Sequence, residues 1–261
     1  MTKKEYIIDS HAHLFLDDYK NDINDVITKM IESDVQLALM PNIEIATIDD
    51  MLSLQKLYPQ NLRSMIGIHP CYIDENYKKN LLQVEKYLSK EKFVGIGEVG
   101  IDRYHSEKTL SFQREAFSMQ IAWAKSLNLP LSIHAREALD DVIDILKKNQ
   151  NGSLKGVLHC FSGTEKQAKE VLDLGFYIGI GGTITYKNNL LRNFLHKINI
   201  NRILLETDSP YLLPQNFKGK AKRNNPSFLT YILSEISNIL ETDKLKLKKI
   251  LFNNTCNLFK I

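Results

Sequence analysis

The stretch IIDSHAHL, residues 7–14, decides how the chain is read. The apolar run EYIID (5–9) suits a short strand, and two imidazoles, His11 and His13, follow it one residue apart. In extended backbone, residues i and i+2 share a face, so both rings point the same way. Seven further runs of this kind follow: VQLALMP (35–41), LRSMIGIH (62–69), KFVGIGEVG (92–100), LPLSIH (129–134), KGVLHC (155–160), GFYIGIGG (175–182) and NRILLETD (201–208). Most are continuously apolar rather than alternating, as strands covered on both faces are.

Helical patterns lie between them. Ile23, Val26, Ile27, Met30 and Ile31 mark one face after the first run, and Leu139, Val142, Ile143 and Leu146 mark another after the fifth. Ala168, Val171 and Leu172 precede Gly175, a C-terminal stop signal. The longest candidate, carrying Leu110, Phe117, Ile121, Ala124 and Leu127, ends before Pro130 returns the chain to extended backbone. Eight strands alternating with helices predict an α/β fold, a single (β/α)8 barrel of the TIM type. A doubly wound open sheet is the alternative. No linker composition appears, so residues 1–261 are expected to form one domain. Two extra C-terminal helices are expected to close the barrel, one around Phe228–Ile239 and one around Leu245–Leu251.

The formal charge of +3 argues against a global basic field as the basis of nucleic-acid binding. Three scattered cysteines, Cys71, Cys160 and Cys256, fit a reducing compartment better than a disulfide framework. No signal-peptide core and no membrane-length apolar run is present, so a soluble cytoplasmic protein is expected, with no membrane and no obligate protein partner.

The polar residues at the run ends carry the chemistry. His11 and His13 follow strand 1, His69 ends strand 3, Glu98 strand 4, His134 strand 5, His159 strand 6 and Asp208 strand 8. Active sites of such barrels are built on that rim. Each residue alone has a structural reading, as a hydrogen-bonded wall histidine, a satisfied buried carboxylate or a turn cap. Together they make a metal site, and mixed imidazole and carboxylate donors suit zinc, manganese or iron. Six donors exceed the need of one tetrahedral ion. Glu98 could bridge two ions, which would act on both the attacking and leaving oxygens of a displacement.

At this point the residues resemble the TatD-related DNases, of the amidohydrolase-like barrels. The likeness spans nearly the whole chain through DSHAHL (9–14), GIHP (67–70), GEVGID (97–102), IHARE (133–137), HCFSG (159–163), GGTIT (181–185), ETDSPYLLP (206–214) and RNNP (223–226). It implies a TIM-type barrel, two divalent metal ions (Mg2+, Mn2+ or Zn2+) and phosphodiesterase activity on DNA, commonly as a 3′-5′ exonuclease. It also implies that His11, His13, Glu98 and Asp208 hold one ion, and Glu98, His134 and His159 the second. Arg103 and Ile101 depart from the family's usual residues, which bears on substrate preference.

The expected reaction is hydrolysis of a DNA phosphodiester by a two-metal-activated water, with Asp208 accepting the proton. His69 would assist the leaving oxygen, contact substrate, or support the metal shell. Arg136 and Arg223 would meet phosphate, since the guanidinium fork matches it. The basic stretch KGKAKRNNP (218–226) either contacts phosphate or solvates a loop. Ser162 and Gly163 begin a possible helix whose amides could face an anion. Cys160 is expected to point away from His159. Tyr72, Tyr104 and Tyr211 could stack a base or simply pack. Glu206 and Asp9 are expected to orient ligands. The alternative activity is hydrolysis of an amide or ester on the same scaffold, for example by a D-aminoacyl-tRNA deacylase. Glu98, at a position where related amidohydrolases often carry a carboxylated lysine, favours the DNase branch.

Overall fold

The computed structural model describes residues 5–105 and 107–261. Eight parallel strands form one sheet in sequence order: β1 (Ile7–Asp9), β2 (Val35–Pro41), β3 (Leu62–Ile66), β4 (Gly95–Asp102), β5 (Leu131–Arg136), β6 (Gly156–Leu158), β7 (Tyr177–Ile180) and β8 (Ile203–Leu205). The eight runs read from the sequence are these strands. The sheet curls until its edges meet. Ser10 N–H donates to the Leu205 carbonyl at 3.0 Å, Asp208 N–H to His11 at 2.9 Å and His13 N–H to Ser209 at 2.7 Å. Asp9 reinforces this seam, accepting from the Thr207 amide at 2.9 Å and from the Thr207 hydroxyl.

Helices α1 (Ile23–Glu32), α2 (Ile48–Leu57), α3 (Tyr77–Leu88), α4 (Leu110–Leu127), α5 (Leu139–Asn149) and α6 (Glu165–Asp173) connect successive strands. Each turns its apolar stripe to the outer wall of the barrel. Gly175 follows α6 at φ +86°, where a side chain would be strained, and so supplies the expected stop. Between β7 and β8 no α-helix forms. Four 3-10 turns bridge residues 182–202, and Asn189 and Asn199 turn their side chains back to accept from the Leu191 and Asn201 amides. Asparagine hydrogen-bonding to its own backbone competes with helix, so this crossover stays irregular.

α7 (Leu229–Ile239) and α8 (Lys244–Phe259) follow. Inward-facing Ile8, Leu37, Leu39, Met65, Val157 and Leu204 pack with Phe252, Leu258 and Phe259 of α8. Tyr6, Val94 and Tyr177, at strand starts, join the same cluster. α8 therefore seals the N-terminal end of the barrel, and polar chemistry is left to the opposite rim. Among the described residues no helix is long and apolar enough to cross a membrane.

Candidate metal centre

All six predicted ligands converge on that rim, joined by His69. Three sets of donors, each with its atoms within 4.8 Å of one another, fill the centre: His11, Glu98 and His159; His11, His13 and Asp208; His69, Glu98 and His134. His69 Nε2 lies 3.4 Å from Glu98 Oε1, and because its Nδ1 accepts from the Cys71 amide at 3.1 Å, that Nε2 carries the ring proton and faces Glu98 as a hydrogen donor.

Local backbone aims these groups. β1 ends at Asp9, and Asp9 accepts from the His11 amide at 3.2 Å. The pairing of β4 with β5 shifts register between Ile96 and Val99, an irregularity that brackets Glu98. Such irregularities re-aim side chains next to active sites. The Glu98 amide is held by the Asn42 carbonyl at 2.7 Å. Asp208 lies beyond β8 with φ +57°, which swings it off the strand line toward the histidines.

The ring nitrogens are set by their outer partners. His13 Nδ1 donates to the Pro41 carbonyl at 3.1 Å, so Nε2 carries the lone pair unless the ring is charged. His11 Nδ1 meets Ser132 Oγ at 3.0 Å. The two Nε2 atoms then face each other at 3.2 Å. Glu98 Oε2 lies 3.2 Å from His11 Nε2 and 3.3 Å from His13 Nε2, and Asp208 Oδ1 3.6 Å and 3.5 Å from them. Across Glu98, His159 Nε2 lies 2.8 Å and His134 Nδ1 3.1 Å from Oε1. Opposed lone pairs repel unless protons or cations lie between them. The donor set therefore fits divalent ions.

Without ions, protons take that role. Burial disfavours charge on every ring, yet the carboxylates of Asp208 and Glu98 overcome it and raise His13 to about 10. At His159, Glu98 likewise overcomes burial and raises the ring to about 9. Burial prevails at His11, with the neighbouring His159 adding to it, and lowers that ring to about 4. Burial opposes charge on Glu98 too, but the rings of His159, His69 and His11 hold it well below the usual carboxylate range.

Four residues around this shell were not read from the sequence as site residues. Asp102, fully buried at the end of β4, has Oδ2 3.0 Å from His134 Nε2 and also accepts from the His105 amide and ring. His105, which the strand pattern leaves on a loop, thereby joins the outer network. Buried Gln113 of α4 clamps the Asp102 backbone, accepting from its N–H at 2.9 Å and donating to its carbonyl at 3.1 Å. Ser132, inside β5, supports His11. A carboxylate or hydroxyl on the second nitrogen of a ligating histidine fixes its tautomer and raises its basicity.

Other expectations need correction. Cys160 does not point away from His159: its thiol groups with His159 and Glu206, because β6 ends at Leu158 and Cys160 adopts φ +44°, breaking the strand alternation. Its amide donates to Glu206, whose carboxylate also approaches His159 Nδ1 at 3.8 Å. That Nδ1 is buried without a hydrogen-bond partner. Burial pushes Glu206 up to about 7. Ser162 and Gly163 stay in the loop before α6, and the helix start is closed by a Thr164–Gln167 capping box. Arg223 is engaged by Asp22 at 2.5 Å and lies 4.5 Å from the Tyr19 ring centre. It ties its loop to the start of α1. Arg136 is exposed on the rim, its guanidinium 4.5 Å from the Tyr104 ring centre. Arg103 pairs with Asp141 at 2.7 Å.

A parallel eight-stranded barrel with imidazoles and carboxylates converging on its C-terminal rim is the architecture of a metal-dependent hydrolase. Residues 8–260 match the model of the TatD related DNase family, and the chain belongs to that family. It is 33% identical over 256 residues to an uncharacterised metal-dependent hydrolase of Bacillus subtilis, YabD, covering 98% of this chain and 99% of that one. It is 30% identical to the 3′-5′ ssDNA/RNA exonuclease TatD of Edwardsiella piscicida, covering 98% of this chain and all of that one. The crystal structure of YjjV, a TatD homologue of Escherichia coli, superposes with a TM-score of 0.91 at 27% identity, covering 98% of each chain.

Proposed function

We propose that the chain hydrolyses phosphodiester bonds of DNA, releasing nucleotides from 3′ ends of single strands, with two divalent ions at the centre. The observation that carries this reading is the pair of opposed imidazoles, His11 and His13, set against Glu98 and Asp208. Family membership and the name of the Edwardsiella relative support the choice of a nucleic-acid diester.

In this reading His11, His13, Glu98 and Asp208 hold one ion, and Glu98, His134 and His159 the other. When bound, divalent ions lower the pKa of coordinated water and neutralise phosphoryl charge. Asp208 sits at the edge of the cluster, less enclosed than Glu98, and accepts the proton lost by the attacking water. Arg136, exposed beside the centre, receives a non-bridging phosphate oxygen through its planar fork. His69, whose Nδ1 accepts from the Cys71 amide at 3.1 Å, keeps Nε2 toward Glu98 and the leaving oxygen. Arg223 enters only as the anchor of its loop.

The test is metal add-back. Metal-stripped protein is incubated with 5′-labelled single-stranded DNA or RNA and with magnesium, manganese or zinc in turn. A ladder shortening from the 3′ end is expected, and Asp208→Asn should cut turnover by a factor of about 100 or more while the fold is kept. Intact nucleic acid under every metal, with cleavage of an aminoacyl ester instead, would sink the assignment.

A further inference from the structure

Charge is distributed very unevenly along the chain. Residues 174–234, which run from just before β7 into the first half of α7, hold eight Lys and Arg and only two acids, Glu206 and Asp208. Both acids are buried at the centre. The rest of the chain, with 26 basic and 29 acidic residues, is net −3. Arg202 lies over the Tyr177 ring and donates to the Gly175 carbonyl at 3.2 Å; the other seven cations fall into two groups. Arg192, Lys197 and Arg223 are neutralised by Glu235, Glu165 and Asp22. Lys187, Lys218, Lys220 and Lys222 are exposed, and among the described residues none of the four makes an ion pair.

These four lysines share one side of the functional rim. Lys187 follows the 3-10 turn Gly182–Thr185 at the end of β7, and the others lie on the loop that leaves Asp208. The two segments are fastened together. The Tyr186 hydroxyl donates to the Leu213 carbonyl at 2.7 Å, and Lys218 Nζ stands 3.8 Å from the Tyr186 ring centre. Asn224 pins the loop base to the rim, donating to the Thr207 and Tyr211 carbonyls. Half-exposed Tyr211 lies between lysines and centre, its ring 6.1 Å from that of His13. On the β5–β6 side of the rim a cleft of about 460 Å³ carries both signs, with exposed Glu137 and Asp140 next to Arg136 and to the Arg103–Asp141 pair. A polyanion reaching the centre meets cations without an acidic partner on the β7–β8 side.

We propose that Lys187, Lys218, Lys220 and Lys222 form a track that holds the body of a single-stranded polynucleotide while its end lies at the metal centre, with Tyr211 offering a base its face. This rests on the phosphodiesterase reading, and it adds that affinity comes from length: several nucleotides upstream of the scissile bond bind on the β7–β8 side. Such binding releases counterions, at a slope of about 0.7 per phosphate contact for single strands.

The experiment uses the metal-loaded chain and the variant Lys218→Gln/Lys220→Gln/Lys222→Gln, checked for an unchanged melting curve. Binding of fluorescein-labelled dT12 with 3′-terminal phosphorothioate linkages is followed by anisotropy from 50 to 300 mM NaCl. The variant should bind about tenfold more weakly at 100 mM, with a salt slope lower by about 2. The wild type should also prefer dT12 to dT2 in KM, and the variant should lose most of that preference. Equal affinity and slope in both proteins, or no preference of the wild type for dT12 over dT2 in binding, overturns the track. So does binding to phosphatidylserine vesicles in place of dT12, which would make the lysines a membrane contact. If dT12 binds through the lysines but is never cleaved in its unmodified form, the track stands and the phosphodiesterase reading falls.

Discussion

Asp102 Oδ2 lies 3.0 Å from His134 Nε2, while His134 Nδ1 faces Glu98 Oε1 at 3.1 Å. The ring is a wedge between two carboxylates, one fully enclosed outside the donor cluster and one at its heart. Burial opposes charge on Asp102, yet His134 and the amide and ring of His105 hold its carboxyl well below the usual range. It is therefore a fixed anion at neutral pH. Asp102→Ala should release the ring and lower affinity for the ion proposed at His134 and His159 by a factor of about 10 to 100. Competition with a metal chelator checks this. Unchanged affinity would reduce Asp102 to a structural acid.

Glu98 gives one carboxylate oxygen to each half of the centre, with Oε2 toward His11 and His13 and Oε1 toward His159, His134 and His69. Removing it leaves His11 and His13 with Asp208, and takes from His134 and His159 the carboxylate that lies between them. Glu98→Ala should therefore lower bound metal to one equivalent or none, read by elemental analysis after exhaustive desalting. Two full equivalents in that variant would show that Glu98 is not the bridge.

The proton load of the ion-free centre gives a pH dependence of known sign. His13 and His159, at about 10 and about 9, are charged at pH 7.5, and each must lose its proton to bind a metal. Both values lie above the ordinary 6.5. The stabilisation these groups give the ion-free fold is thus complete below pH 6.5 and is lost as pH rises through 9 to 10. Metal affinity runs the other way and climbs over the same window. Calorimetry at pH 7.5 in buffers of different ionisation enthalpy should find about two protons released on filling the centre. No release, with affinity flat between pH 6.5 and 9, would contradict these charge states.

How much of this was legible in the sequence follows from what each residue depends on. The strands were legible because burial on both faces writes a continuous apolar run, and the ligands because each closes such a run. Asp102 closes β4 two residues beyond the run legible in the sequence, and its partner is set by pairing of β4 with β5, which puts Gly100 opposite His134. No local pattern encodes that. The Pro41 carbonyl that orients His13 leaves no trace in residue identity. Cys160 was misread because alternation was carried two residues past the end of its strand. Nothing local to Arg223 marks its partner, Asp22, which lies 201 residues away in sequence.

Gly100 tests whether spacing between two strands carries the site. It has φ +142°, and a Cβ there would lie 2.0 Å from the His134 carbonyl oxygen and 2.9 Å from its carbon. Both atoms are backbone, so no side chain can swing aside. Gly100→Ala must push β5 from β4 at the point where Glu98 and His134 meet. The expected cost is about 3 kcal/mol, or a Tm lower by on the order of 10 °C in a chain of this size. Refilled with metal, the variant should also hold the ion proposed at His134 more weakly than Gly152→Ala, a control that shares the strain of a positive φ (+88°) but whose Cβ meets nothing within 4 Å. A melting temperature and metal content matching the wild type would mean that the β4–β5 spacing gives way freely, and that the Glu98–His134 geometry is set elsewhere.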